Sequence, residues 1–513
     1  MKYFYRLSIS AFLLISCLSS VFLAASEGSE PVQLKDKQPC NVILIIIDAL
    51  RPDHLGCYGY QKQTSPAIDD IAKDSCVFEN AFSQAGYTIA STMSILTSLY
   101  PISHGMRTVC KDKLSPRVQT MAEIFSLYGY KTAWFSLLKE QHLDIDVGFG
   151  RGFQDKVELG ILFNGRDELL SWLNKNKDNK FFLAMDSRRV HDYPSFFYRT
   201  SLKDNSSQGK KTSYTEFEEA NKIFYHKLVK LARSRKPPLD DPRIFSEHKE
   251  FFNGIYSREK IEQIIGLANP EKRYLLQALR AGSSAPLSKK AASKDPKAWI
   301  AAYDACIQAT DKELIKPIAD ELKALGLYDK TMLVITADHG EAFGEHGLYG
   351  HGYAFFDEFY HVPLIIKMPY SKQGRRIPGL TQSIDIMPTA LEICGIEVPH
   401  QAQGKSLVSF MTGVNTSAPH EYTFEDTVGV DSIRSQEWKL LVGHNGKKTL
   451  FHLSLDPQER HNVYSKNIPI AKKLEEELEK WKSTLISYAD KEYPFAPEID
   501  KAGQERIRKT GYW

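Results

Sequence analysis

The chain has 513 residues, 42% of them hydrophobic and 25% charged, a composition that buries a large core and excludes a disordered polymer. Its 66 Lys and Arg stand against 63 Asp and Glu, a formal net charge of +3, so no overall field marks a polyelectrolyte binder and any charge-driven role must be local. The size predicts one large domain with a smaller companion.

In residues 1–26, Lys2 and Arg6 precede an apolar run from Ile9 to Ile15 that continues weakly to Ala25, the form of a secretory signal. Leu14, Ile15, Ser16 and Cys17 read as a lipoprotein cleavage box, whereas Ala24 to Ser26 offer an ordinary signal peptidase site. Either way the expectation is export: periplasmic, extracellular or lipoprotein-anchored at the membrane surface. Cys40, Cys57, Cys76, Cys110, Cys306 and Cys394 follow without CxxC spacing. They exclude a zinc ribbon or thioredoxin motif and allow disulfides without assigning any.

Residues 41–60 (NVILIIIDALRPDHLGCYGY) open with six apolar residues, rich in β-branched side chains and too short for a membrane span. They predict a buried central strand. Asp48 then falls at its carboxyl end, where open α/β sheets bind ligands. A carboxylate there is a metal ligand, part of a hydrogen-bond network or a helix cap. Residues 331–352 (TMLVITADHGEAFGEHGLYGHG) repeat the design, with a second apolar strand ending in Asp338 and His339.

With Asp48, Leu50, Arg51, Asp53, Leu55, Gly56, Tyr58 and Gly59, this pattern resembles the sulfatase family of the alkaline phosphatase superfamily, metal-dependent hydrolases of sulfate and phosphate esters. The resemblance implies an α/β fold, a large mixed β-sheet flanked by helices, followed by a smaller C-terminal antiparallel sheet plus helix.

Residues 86–106 (GYTIASTMSILTSLYPISHGM) resemble the family's nucleophile segment, in which a Cys or Ser is followed by Pro and Arg and then by a helix reading LLTG. Aligning Ile95 to Ser98 with LLTG places Thr88 at the nucleophile and Ala90 and Thr92 at the Pro and Arg positions. Formylglycine, formed from Cys or Ser, is therefore not expected. A hydroxyl held on a divalent cation at a helix start still ionises more easily. Other branches of the superfamily use such a Thr, so the nucleophile leans towards phosphate or phosphonate esters. The competing view is an ordinary helix-cap Thr.

A strand is predicted at residues 131–136, after which the family places a Lys or His on the substrate's anionic oxygens; Lys139 and His142 are the candidates, Lys139 for binding and His142 for catalysis. Another strand, 181–185, leads to VHDYP, which resembles the family's PHxP element. There His191 would act on the substrate or leaving group, since imidazole exchanges protons near neutral pH.

Residues 199–298 carry 21 Lys and Arg against 12 Asp and Glu. They predict a basic helical insertion, either a solvated surface or a cap that draws in anions. Mixed charge without an aromatic-basic motif argues against nucleic acid. Residues 303–329 then have helical spacing, with Tyr303, Asp304 and Asp311 in structural roles.

Asp338 and His339 would complete a site with Asp48 and Thr88 for one divalent metal ion. Oxygen-rich ligands favour Ca²⁺ or Mg²⁺, and His339 leaves Mn²⁺ or Zn²⁺ open. The family often has a second Asp where this chain has Ala49. His351 stands where sulfatases commonly carry a substrate-binding Lys, and residues 355–369 look like those of phosphonate monoester hydrolases. The expected organisation is a catalytic domain over 40–400 that contains the insertion, an α+β subdomain over 401–490 with a helix at 468–488, and a tail over 491–513. The substrate is expected to be an anionic ester, a sulfated or phosphorylated small molecule, glycan or lipid. A catalytically inactive binder of anionic glycans or lipids is the alternative.

Overall fold

The computed structural model describes residues 40–107, 112–136, 147–158, 165–191, 193, 296–352, 355–427 and 429–489. Lys139, His142 and nearly all of the basic insertion lie outside the described residues.

The predicted central strand is β1, Asn41–Ile47, buried at every position. Chain order then gives β2 (Cys76–Phe82), β3 (Lys131–Ser136), β4 (Asp155–Glu158), β5 (Phe181–Ser187) and β6 (Thr331–Thr336). A short hairpin, β7 (Ala342–Phe343) and β8 (Tyr349–Gly350), precedes β9 (His361–Lys367) and β10 (Arg375–Gln382). Eight of these form one sheet in the order β10-β2-β9-β6-β1-β5-β3-β4. β1 runs parallel to both neighbours, β5 and β6, while β9 runs antiparallel to β2 and β6, so the sheet is mixed.

Register decides where the chemistry sits. Ile47 pairs with Ser187 and Ile46 with Thr336, so the residues that follow β1, β5 and β6 leave the sheet side by side at their carboxyl ends. A strand buried on both faces must be apolar throughout, so its first polar residue is forced to its end.

The helix Thr88–Thr97 carries Ile89, Met93, Ile95 and Leu96 into the main core, and every residue in it except Thr88 is buried. The predicted helix over 303–329 appears as Pro296–Thr310, a five-residue π turn Asp311–Ile315, and Lys316–Ala324. Its polar residues brace the front of the sheet. The Tyr303 hydroxyl donates to Ala49 O at 2.7 Å and accepts from Arg51 N at 2.8 Å. Asp304 takes His54, Tyr60 and Lys62, and Asp311 accepts from Ala67 and Ile68 N at the start of helix Pro66–Lys73.

The carboxyl-terminal part forms a four-stranded antiparallel sheet of β11 (Thr423–Thr427), β12 (Val430–Arg434), β13 (Trp438–Gly443) and β14 (Lys448–His452). Helix Ile468–Thr484 packs Ala471, Leu474 and Leu478 against its Ile433, Leu440 and Leu450. That helix stops at Thr484, short of the expected 488, because Leu485 turns extended and Tyr488 N instead donates to Ser103 O at 2.8 Å.

Candidate active site

Asp48 leaves β1, and Asp338 and His339 leave β6; all three are buried, and one ligand atom from each lies within 4.8 Å of the others. His339 Nε2 is 3.5 Å from Asp48 Oδ1 and 3.6 Å from Asp338 Oδ2. Asp338 spends its other oxygen, Oδ1, on the backbone, accepting from Ala49 N at 3.2 Å and from His339 N at 2.9 Å. Oδ2 is buried and has no hydrogen-bond partner among the described residues. A buried carboxylate oxygen left in this state needs a cation or a proton, so the donor set fits a divalent metal.

Hydrogen bonds set the histidine tautomer. His339 Nδ1 lies 2.8 Å from Gly340 O, and a carbonyl only accepts, so Nδ1 carries the proton and Nε2 keeps its lone pair for the cluster. Burial lowers the His339 pKa from its ordinary value despite the adjacent Asp338, which favours the neutral ring. Gly340 is required here because a Cβ would fall on the carbonyl of Glu358.

Thr88 begins its helix, and its Oγ1 is 3.3 Å from His339 Nε2. With Nε2 a lone pair, the hydroxyl is the donor. Gly86, two residues before it, brings this loop under Gly352 O, 2.7 Å from where a Cβ would stand. Two of the positions where the chain departs from the family pattern, Ala49 and Thr92, are fully buried. Ala49 takes a left-handed φ of 62°, a conformation that costs a non-glycine residue about 1–2 kcal/mol, and is fixed by Asp338 and Tyr303. Thr92 is fully buried, and its hydroxyl has no partner among the described residues.

A second group faces this cluster. The ring centroid of His351 lies 4.4 Å from that of His339 and 4.8 Å from that of His191, so three imidazoles stand in a row. Sequence reasoning named all three but missed what orients them. His351 Nδ1 donates to Glu341 Oε2 at 2.9 Å. Glu341 Oε1 lies 3.3 Å from the Tyr193 hydroxyl, which accepts from Trp299 Nε1 at 3.0 Å. Arg51 Nη1, bound to Glu341 O at 2.9 Å, pins the same loop.

Arg188 was also missed. Its Nε is 3.6 Å from Asp48 Oδ2 and its Nη2 is 3.2 Å from His191 Nδ1. A guanidinium cannot accept, so His191 Nδ1 is a lone pair and its proton sits on Nε2. The sequence signal available was two consecutive arginines immediately after a buried strand, Arg188 and Arg189. Arg189 points elsewhere, to Glu313 and Ala309 O.

Three kinds of comparison bear on this arrangement. The family model described as Sulfatase matches residues 40–396, and that of the N-sulphoglucosamine sulphohydrolase C-terminal region matches 344–484. An N-acetylglucosamine-6-O-sulfatase of Bacteroides thetaiotaomicron is 23% identical, over 95% of this chain and 93% of that relative. An arylsulfatase of Clostridium perfringens is 26% identical, over 82% and 90%. In fold, the chain is similar to a structure solved with its substrate D-glucosamine-2-N,6-O-disulfate (TM-score 0.61, 18% identity, 87% of this chain and 98% of that one). It is equally similar to the phosphonate monoester hydrolase of Agrobacterium radiobacter (TM-score 0.61, 20% identity, 86% and 95%). With the family model matching residues 40–396, the chain belongs to the sulfatase family, whose members are sulfuric ester hydrolases.

Proposed function

We propose that the chain hydrolyses sulfate esters and related phosphate or phosphonate monoesters with the Thr88 hydroxyl as nucleophile and one divalent cation held by Asp48, Asp338 and His339. The observation that carries this reading is Thr88 Oγ1 lying 3.3 Å from His339 Nε2 at the edge of the buried Asp48, Asp338 and His339 cluster. The cation, Ca²⁺ or Mg²⁺ by the oxygen ligands, would supply charge that eases ionisation of the hydroxyl and offsets that of the ester.

The remaining chemistry belongs to the side chains. Thr88 Oγ1 gives up its proton to solvent and attacks sulfur or phosphorus, the ester oxygen departs, and the proton that the Arg188 bond to Nδ1 fixes on His191 Nε2 passes to it. Arg188 and His351 hold the anionic oxygens. Water then attacks the Thr88 ester, giving one proton to His191; the bond from Oγ1 to sulfur or phosphorus breaks, sulfate or phosphate leaves, and Oγ1 takes back a proton from solvent, restoring the hydroxyl. Lys139 and His142 are proposed to reach the same anion.

Relatives that act on N-acetylglucosamine-6-O-sulfate groups and ulvan, and a neighbour bound to a disulfated glucosamine, support an anionic saccharide as the substrate class. The signal-like amino terminus supports an exported enzyme.

The test is an assay of the purified chain, with added Ca²⁺ or Mg²⁺, against an aryl sulfate, a sulfated glucosamine and a phosphonate monoester. Thr88→Ala serves as control, and mass spectrometry reads residue 88. Turnover lost in Thr88→Ala with an unmodified Thr88 supports the reading; equal turnover in the variant overturns it. Absence of turnover on all three classes, with sulfated glycan still bound, favours the inactive binder that Ala49 and Thr92 would explain.

A further inference from the structure

At the opposite end of β1 from Asp48, we propose a disulfide between Cys40 and Cys394. The two sulfurs lie 2.7 Å apart. Non-bonded heavy atoms settle at about 3.5–4.0 Å, so two separate thiols are crowded here, whereas a bond of roughly 2 Å needs only a small approach.

Neither cysteine can retreat. Cys40 directly precedes β1, where Asn41 N donates to Lys330 O at 3.0 Å and Asn41 Oδ1 accepts from Phe181 N at 3.2 Å. Val42 is already paired on both sides, to Phe182 and Met332. Cys394 ends the helix Ile386–Ile393, with its N donating to Ala390 O at 3.1 Å. The left-handed Gly395 that follows, φ 66°, turns Ile396 N back to Leu391 O at 2.8 Å. Two rigid anchors therefore aim the side chains at each other. Among the described cysteines no other two sulfurs are recorded in contact; Cys76 Sγ, for example, faces Met411 O.

Forming the bond removes two electrons and two protons, so it needs an oxidant, a small-molecule or protein disulfide. Cys394 is the half-exposed partner and Cys40 is buried. The Cys394 thiolate attacks the oxidant's sulfur and displaces one thiolate. Cys40 then attacks the Cys394 sulfur in the mixed disulfide and displaces the second, and both leaving thiolates take up the protons. The cross-link joins positions 354 apart. It fastens the start of the central strand to the end of helix Ile386–Ile393, and by closing so long a loop it restricts the unfolded chain most. Lying at the amino end of β1, it leaves the ester chemistry untouched.

The experiment uses the full chain incubated with oxidised glutathione, unfolded with an alkylating agent in the absence of reductant, digested and mapped by mass spectrometry. The expected result is a Cys40–Cys394 peptide pair, unalkylated, that separates on reduction. Heating should show a lower Tm for the wild type after reduction. The Cys40→Ser, Cys394→Ser double variant should have that lower Tm with or without reductant, and unchanged turnover. Alkylation of both cysteines before reduction, or glutathione attached to both in place of the internal bridge, overturns the proposal. The mapping of the wild type decides this even where the variant fails to fold.

Discussion

Asp338 illustrates how a single side chain serves fold and chemistry with different oxygens. Oδ1 ties the end of β6 to the turn after β1, and Oδ2 is left for a cation. Removing the carboxylate should therefore abolish metal retention. We expect Asp338→Ala and Asp48→Ala to weaken divalent-cation binding by roughly 100-fold or more, given that even outer groups at such sites cost 10–100-fold; calorimetry with Ca²⁺ or Mg²⁺ and elemental analysis measure it, and full occupancy in both variants would sink the site. Arg188 poses a different question, because the family's Arg position holds the buried Thr92 and Arg188 brings a guanidinium from another strand end to within 3.6 Å of Asp48. If it carries the anion, Arg188→Ala should lower kcat/KM on a sulfate or phosphonate ester by about 100-fold, the size expected for one preorganised donor. Arg188→Lys should recover only part, since a point charge lacks the fork that also reaches His191. A variant with unchanged kinetics would reduce Arg188 to a counter-ion of Asp48.

At the scale of elements, strand ends were legible and supports were not. Asp48 and Asp338 each follow a run of apolar residues that reads as a buried strand, so their place at strand carboxyl ends follows from pattern alone. Glu341, Tyr193 and Trp299 form a chain of hydrogen bonds across residues up to 148 positions apart, and no local periodicity records that. Asp311 lies between these cases, for its structural role was read from the helix, yet its partner helix was not. Burial raises its carboxyl to about 6, although the amides of Ala67 and Ile68 oppose the shift. Below the ordinary value of 3.8 folded and unfolded chains are both protonated there. As pH rises towards about 6 the unfolded chain alone has lost the proton, so this group's contribution to stability falls and then levels off. Asp311→Asn removes the titration and spoils one of the two amide bonds, a loss of about 1 kcal/mol. Denaturant titrations at pH 4 to 7 should show the stability gap between wild type and variant shrinking as pH rises; a gap that stays constant across that range would contradict the assignment.

The molecule as a whole depends on how the four-stranded sheet is fastened to the eight-stranded one. Its existence was legible from the family-like ending, but its fastening was not, because the residues involved look like ordinary surface charges in the sequence. Phe82, Phe355, Phe359 and Leu380 from the large unit pack against Val430, Leu441 and Phe451 from the small one. Behind them lies a buried set of charges. Asp357 takes Arg434 at 2.6 Å and Lys439 at 2.9 Å, and Lys439 also reaches Glu459 at 2.8 Å. Glu459 in turn accepts from Asp357 N at 2.7 Å. Burial together with the charge of Asp357 pushes Glu459 up to about 8, and Lys439 sits between both acids with 1% of its side chain exposed. Taking the cation away leaves two acids buried beside one another with only Arg434 to compensate, and breaking a buried pair in this way costs about 3–5 kcal/mol. Lys439→Met, which keeps the length of the side chain, should therefore lose that much stability in guanidinium unfolding. Adding Glu459→Gln should restore part of it, since Arg434 still covers Asp357 while Glu459 is left without a cation. If the single variant loses less than about 1 kcal/mol, as an exposed pair would, or the second substitution deepens the loss by its full separate cost, packing and not charge holds the two sheets together.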